Sequence, residues 1–352
     1  MMIDQFQNQI RDAYTKGRQL RIVGAASRQA WLPPTEGEAL AVGAYTGIID
    51  YQPHELYLSA RAGTPLAAIR TLLAEHRQML ACEPPNIDQA GTLGGALATG
   101  WSGPRRPWSG AVRDHVLGLT MLDGRGELLR FGGRVMKNVA GFDVSRLMVG
   151  SLGSLGAILD VHIKVMPLPE TELVLVQSCG QSEAILLANR YSAAALPLSG
   201  AAWEAGLLRL RLSGNASAVA AARQQIGGDE DLDGLAWFDA LRDFRLAFFD
   251  QPAPGMALWR LSLPPTASST LVGYPQVVDW GGGQRWLHAH VEATSIIQSA
   301  ARSAGGYASC RRVNAPWPEP TFLLPTIATL QRRLKSAFDP GALFAHTPPP
   351  IA

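Results

Sequence analysis

The sequence predicts an α+β protein of two domains, the first of them completed by the C-terminal segment. Three observations carry this. The chain of 352 residues is about twice the length of a typical domain. Its first half ends in an alternation, with Leu159, Val161, Ile163 and Val165 set against Asp160, His162 and Lys164, closed by Pro167 and Pro169. A period of two marks a strand with one buried face, and the prolines end it and mark a boundary. The second half then repeats a strand–helix–strand unit, which suits helices packed on one antiparallel sheet. The boundaries are read at 1–170, 171–310 and 311–352, with the last segment returning to the first domain.

Taken in order, residues 20–23 (LRIV) read as a short buried strand followed by the turn GAASR, and 55–60 as a second strand. Thr64 and Pro65 open a helix, Thr64 as its cap and Pro65 at its first position. Leu66, Ile69 and Leu73 then give that helix one apolar face. Residues 92–100 are small and apolar, with Gly94 and Gly95 inside, and read as a short helix that something approaches closely. Residues 116–131 form a hairpin turning at Asp123-Gly124, and 143–149 a short helix between glycines. In the second half, 173–177 is a strand, 181–193 a helix and 207–212 a strand whose Leu208, Leu210 and Leu212 alternate with Arg209 and Arg211. A strand at 257–263, further strand-like segments to about residue 290 and a helix at 294–304 make the second unit. A closing helix runs over 325–337 and stops at Phe338-Asp339-Pro340.

Composition excludes several functions. With 47% apolar and 17% charged residues the chain is a globular protein with much buried surface or a partner interface. A net charge of +2, and basic runs no longer than Arg105-Arg106, Arg311-Arg312 or Arg332-Arg333, give no footprint for nucleic acid. Three widely spaced cysteines, Cys82, Cys179 and Cys310, make neither a disulfide framework nor a zinc site, and an iron–sulfur cluster with four thiolates needs one more. They imply a reducing, intracellular setting. The N-terminal residues lack the apolar core of a signal peptide. The long uncharged stretches Gln89–Pro104 and Leu261–Val278 are too rich in small residues and proline to span a membrane.

The stretch GRVMKNVAGFDVSRLMVGSLGSLG, Gly133 to Gly156, holds five glycines in 24 residues. Glycine is placed for a backbone angle or for close approach of another group. No G-x-x-x-x-G-K-[ST] occurs, and GSLGSLG spaces its glycines differently from a dinucleotide fingerprint. Nucleotide binding of either familiar kind is therefore disfavoured.

The residues RIVGAASR, AGTPLAAI, GTLGGALATGWSGPRRPWSGAVRDHVLG, KNVAGFDVSRLMVGSLGSLGAI and VDWGGGQRWL together resemble the PCMH-type FAD-binding flavoproteins, the vanillyl-alcohol-oxidase family. Within that group they are most similar to the smaller, GlcE-type subunits of bacterial glycolate oxidases, over essentially the whole chain. The resemblance implies an FAD domain of two α+β subdomains plus an antiparallel α+β cap, with FAD lying extended between the subdomains. It places the diphosphate on the turn Gly24, Ala25, Ala26, Ser27 and Arg28, where tight-turn amides form an anion nest and the family usually carries more glycine. It places the ribityl chain and ring along Pro84, Pro85, Gly91, Thr92, Leu93, Gly94, Gly95, Thr99, Ser102 and Gly103, with Arg113 and Asp114 in the family's RD position. Gly141, Gly150, Gly153 and Gly156 would let backbone pass close to the cofactor, and Gly156, Ala157 and Ile158 would meet its adenine half. Leu152 stands where relatives that oxidise 2-hydroxy acids often carry Glu.

The same resemblance implies noncovalent FAD, since no histidine lies in or just after the turn, and Cys82 reads as a small buried hydrophobe. His288 and His290 share a strand face but lack a third ligand, so no metal is expected, and catalytic residues are not assigned. The implied partners are a second flavin-containing subunit and a separate iron–sulfur subunit, acting on glycolate or a similar small 2-hydroxy acid in the cytoplasm or peripherally on the inner membrane. The pairs Trp101 and Trp108, and Trp280 and Trp286, would suit a partner surface, although core packing is the commoner role for any single one of them. Two alternatives are a non-catalytic assembly subunit with a retained flavin site, and a stand-alone FAD-dependent reductase of the same fold.

Overall fold

The computed structural model describes residues 2–133, 143–318 and 325–345. The first half is built on a five-stranded antiparallel sheet in the order Ile48–Gln52, Tyr57–Arg61, Ala157–Lys164, Val116–Leu122, Leu128–Gly132. The alternation in Ala157–Lys164 does what its period requires: Leu159, Val161 and Ile163 are buried and Asp160, His162 and Lys164 half-buried. Its central place follows, with Tyr57–Arg61 on one side and Val116–Leu122 on the other. The hairpin closes at Asp123, whose carboxylate accepts from the amides of Arg125 (2.9 Å) and Glu127 (2.8 Å).

Two helices cover this sheet. Leu66–Glu75 buries Leu66, Ile69 and Leu73, and Leu93–Thr99 buries Leu93, Ala96 and Leu97. The cap of the first is not Thr64. Pro65 takes that position without a side-chain bond, and the Thr64 hydroxyl instead exchanges hydrogen bonds with the backbone of Gly47. A local pattern named the helix start correctly but not the competing partner across the sheet.

A second small core joins the two ends of the chain. The helix Met2–Lys16 lays Phe6, Ile10 and Ala13 against Leu20, Leu40, Leu122, Leu159, Leu343 and Phe344. Leu20–Val23 pairs in parallel with Glu38–Ala41, and the C-terminal segment lies along its other edge: Leu20 N donates to Leu343 O (2.7 Å) and Ala345 N to Leu20 O (2.9 Å). Ahead of it, the helix Pro325–Phe338 is tied down by Lys335, whose ammonium reaches Ser154 O (2.7 Å), Phe344 O (2.8 Å) and the buried Asp339 carboxylate (2.6 Å).

After Met166–Pro167 pairs with Gln78–Met79, the chain enters an eight-stranded antiparallel sheet. Its order is Asp229–Glu230, Thr171–Ser178, Leu207–Gly214, Leu198–Glu204, Gln276–Asp279, Gln284–His290, Met256–Ser262, Tyr307–Val313. The last strand carries the sheet past residue 310, to Val313. Helices Gln181–Ala193 and Ala216–Ile226 cover one half of a face, burying Leu208, Leu210 and Leu212, and Thr294–Ser303 covers the other half. The opposite face meets the first half of the chain through an aromatic layer of Trp31, Trp101, Phe244, Phe249 and Trp286. The tryptophans take the core role rather than that of a partner surface: Trp101, Trp280 and Trp286 are buried and Trp108 is half-buried. Trp101 and Trp286 fill the seam between the two sheets, Trp280 donates its ring N–H to Gly103 O (3.0 Å), and Trp108 packs against the core beneath helices Gln181–Ala193 and Ala216–Ile226.

That seam also carries charge. Glu83 is buried and accepts from Arg105 Nε (3.2 Å) and from Arg211 Nη1 (3.0 Å), and Arg105 Nη2 reaches Glu172 (2.6 Å). Asp243 takes the amide of Asn86 (2.8 Å) and pairs with Arg242 (2.7 Å) and Arg70 (3.7 Å). Arg211, which alternates with leucines along its strand, is thus enclosed by a residue from the other half of the chain.

Candidate functional site

A cleft runs along the N-terminal half and ends at the eight-stranded sheet. Its narrow end, about 130 Å³, is lined by the turn Gly24–Arg28 together with Thr92, Gly95, Thr99 and Leu152. Its wide end, about 260 Å³, shares Thr99 and Leu152 and continues to Trp101, Arg106, Arg113, Arg260, Trp280 and Arg311.

The narrow end is built as an anion site. Val23 closes the short parallel strand, and the backbone must turn at once. Ala26 does so in the left-handed region (φ +56°), with Gln29 N donating to its carbonyl (2.9 Å). Among the described residues nothing accepts a hydrogen bond from the amides of Ala25, Ala26 and Ser27. Beneath them lies Arg28, 6% exposed. Its Nη2 donates to Pro85 O (2.6 Å), its Nε is buried without an acceptor, and no carboxylate pairs with it among the described residues. Burial, and then Arg70, pull its pKa down to about 10 against the attraction of Asp243. Free amides in a tight turn above an unneutralised buried cation fit a diphosphate.

Alanine in the left-handed region costs about 1 kcal/mol relative to glycine. Ala26→Gly is therefore expected to keep the fold and bind the diphosphate-bearing ligand as well as or a few-fold better than the parent. Equilibrium dialysis measures it, and a clear loss of affinity would mean that the turn changes shape on binding.

The structure brings together on the cleft wall Gly24, Ala25, Ala26, Ser27, Arg28, Thr92, Gly95, Thr99 and Arg113. Ser102 and Gly103 line a small adjoining cavity. Gly150 also lines the wide end, and the remaining sequence candidates sit behind the wall. Pro84 and Pro85 are buried and offer carbonyls to Arg70 (2.6 Å) and Arg28 (2.6 Å). Leu93 is core, and Asp114 caps a turn by accepting from Ala111 N (2.8 Å). Gly91 faces Asn86 and Gly153 faces Ile22. Gly156, Ala157 and Ile158 enter the five-stranded sheet, where a side chain on Gly156 would strike Met121 and Leu122. Gly141 lies outside the described residues.

Gly94 shows what such glycines do. A Cβ there would stand 2.6 Å from the Cβ of Ala62 and 3.0 Å from its carbonyl oxygen, so the helix Leu93–Thr99 packs on the neighbouring strand at glycine distance. Gly94→Val is expected to lose flavin and also to lower the melting temperature or abolish cooperative unfolding, because helix and strand must separate. Unchanged melting with flavin lost would place the ligand, not Ala62, against Gly94.

Cys82 is fully buried and burial pushes its thiol up to about 12; such a thiol is inert. His288 gives a ring nitrogen to Phe248 O (2.6 Å), and His290 is exposed beside Glu292. Among the described residues no group of three metal-ligating side chains occurs, and no helix is long and apolar enough to cross a membrane.

Sequence reasoning missed Arg106, Arg260, Arg311 and Trp280 as cleft residues. Arg106 and Arg311 belong to dyads seen only as short basic runs. Arg260 sits in the apolar strand MALWRLS, and an arginine in such a run is the one signal that pointed inward.

Comparison with known proteins agrees with this geometry. Residues 2–132 match a family described as "FAD binding domain". The chain is 40% identical to glycolate oxidase subunit GlcE of Escherichia coli (strain K12) over 342 residues, 96% of each chain. It is 32% identical to glycolate oxidase subunit GlcD of Bacillus subtilis (strain 168) over 145 residues, 41% of this chain and 30% of that one. An alkyldihydroxyacetonephosphate synthase structure superposes with a TM-score of 0.69 over 97% of this chain and 74% of the other at 15% identity, a likeness of fold. With 40% identity over near-complete coverage of both chains, and an FAD-binding domain over residues 2–132, this chain belongs to the FAD-binding GlcE family of glycolate oxidase subunits.

Proposed function

We propose that the chain is the FAD-binding, GlcE-type subunit of a glycolate oxidase, a 2-hydroxy-acid oxidoreductase that converts glycolate to glyoxylate. The observation that carries the reading is the cleft itself: three free amides and a buried, unneutralised Arg28 at one end of a groove, in a chain similar along 96% of its length to such a subunit. We divide the chain into the FAD domain 1–170, a cap from 171 that runs past the expected boundary at 310 to the end of the strand at Val313, and a returning segment after it. The site residues named from the sequence keep two roles, cleft wall and the packing behind it.

The residues of this chain would hold the cofactor. The turn Gly24–Arg28 would take the diphosphate, and Thr92, Gly95 and Thr99 would flank the chain leading to the ring. When bound, noncovalently, FAD supplies a two-electron acceptor. Oxidation of a hydroxy acid also needs a base for the hydroxyl proton. Among the described residues no histidine or carboxylate lines the wide end of the cleft, which supports a division of labour in which a second flavin subunit supplies that base and an iron–sulfur subunit takes the electrons onward. The assembly would work in the cytoplasm, or peripherally on the inner membrane through its partners.

Anaerobic mixing with glycolate tests this. The flavin band of the isolated, FAD-loaded chain is expected to bleach slowly or not at all, and that of the assembled complex promptly. Prompt bleaching in the isolated chain would overturn the division of labour.

A further inference from the structure

Five arginines line the wide end of the cleft: Arg113 is exposed, Arg146 is exposed and paired with Asp143 (3.0 Å), and Arg106, Arg260 and Arg311 face it with no carboxylate among the described lining residues. Arg260 and Arg311 come from the paired strands Met256–Ser262 and Tyr307–Val313, and Arg106 from the first half of the chain. Arg260 and Arg311 are each 9% exposed. Among the described residues none of the three has an acid at ion-pair distance, and none lines the cavity they share. The charges rest on aromatic faces instead: Arg106 lies 4.2 Å and Arg260 5.3 Å from the Trp280 ring centre, and Arg311 5.4 Å from that of Trp101. Arg260 Nε donates to Gln284 (2.8 Å), whereas Arg311 Nε is buried with no acceptor. A ring face recovers only part of what a guanidinium loses on leaving water. Burial, and then repulsion from Arg311, bring the Arg260 pKa down to about 9. Asp279, in the small adjoining cavity, spends an oxygen on the Trp280 amide (2.7 Å), and burial pushes it up to about 7, so it is a weak counter-charge.

We propose that Arg106, Arg260 and Arg311 form a binding site for a small dicarboxylate, and that the site holds such a dianion more tightly than a monocarboxylate of the same size. One carboxylate would leave two of the three cations without a counter-charge; a second, adjacent carboxylate leaves only one and gives the guanidinium forks a matching partner. A two-carbon acid fills a small part of the 260 Å³, which leaves room beside it for a flavin ring. The proposal rests on the flavin reading only for one of its two readouts.

The full-length chain, FAD-loaded, is titrated with oxalate, glycolate and uncharged glycolamide while the flavin spectrum is followed. Calorimetry of the same chain freed of flavin runs in parallel. Oxalate is expected to saturate at a concentration at least tenfold below glycolate, with glycolamide silent. Arg260→Gln and Arg311→Gln are each expected to weaken oxalate at least tenfold while flavin content and melting temperature hold. Equal affinity for oxalate and glycolate, or variants that bind oxalate like the parent, would overturn the proposal. So would variants that lose flavin yet bind oxalate normally, since the arginines would then belong to the flavin cradle. Oxalate binding in calorimetry by a chain that takes up no flavin would support the site while sinking the flavin reading.

Discussion

Arg28→Ala is expected to give a folded chain that purifies without flavin. The arginine is buried, makes one hydrogen bond to a carbonyl and leaves its Nε unused, so the fold gains little from its charge and bears the desolvation. In the proposed reading a diphosphate supplies the counter-charge. Removing one partner of a buried charge pair costs about 2–5 kcal/mol, which is roughly thirty- to several-thousand-fold in affinity. Arg28→Lys should recover part of this, since a point charge replaces the fork. Flavin titration against melting temperature separates the roles. A variant that melts far below the parent but binds FAD with parent affinity would make Arg28 structural, through Pro85.

Glu83→Gln is expected to loosen the seam between the two sheets. The carboxylate is shared by Arg105 and Arg211, and a neutral amide would leave both guanidiniums buried with reduced compensation. Breaking such a network from one side costs about 3–5 kcal/mol, a fall in melting temperature of roughly 5 °C or more. Glu172→Gln, at the more exposed end of the same network, should cost less. The carboxyl also sets a pH dependence. Burial opposes its charge, but Arg211 and Arg105 more than offset that and hold its pKa below the usual 4.5. A depressed carboxylate contributes fully above its unfolded pKa and loses that contribution as the pH falls through the folded value. The parent should therefore lose stability as acid is added below about pH 4.5, and Glu83→Gln should lose less over the same range. Parallel acid profiles for the two proteins would remove Glu83 from this account.

These two residues show what a sequence discloses. Local patterns were legible: the alternation through Ile163, the apolar spacing of Leu66, Ile69 and Leu73, and the turn at Asp123 all became the expected elements, because each is decided by neighbours a few residues away. The turn Gly24–Arg28 was legible for the same reason. Pairings across the seam were not. The alternation of Arg211 with leucines names no partner for it, yet Glu83 reaches it from 128 residues away. Trp101 and Trp286 were compatible with either core or partner surface from their own neighbours, and the other half of the chain is what covers them. Gly94 read as a place for cofactor, but the space beside it is taken by Ala62. Arg106, Arg260 and Arg311 meet only when both halves fold, so no window of sequence holds them together.

The most direct test is the flavin released from the purified full-length chain by heat or acid. FAD, one per chain, recovered in the supernatant and absent from Arg28→Ala, is the predicted result. A chain that takes up no FAD when it is supplied, that yields FMN instead, or whose flavin stays with the precipitated protein would contradict the account of this cleft.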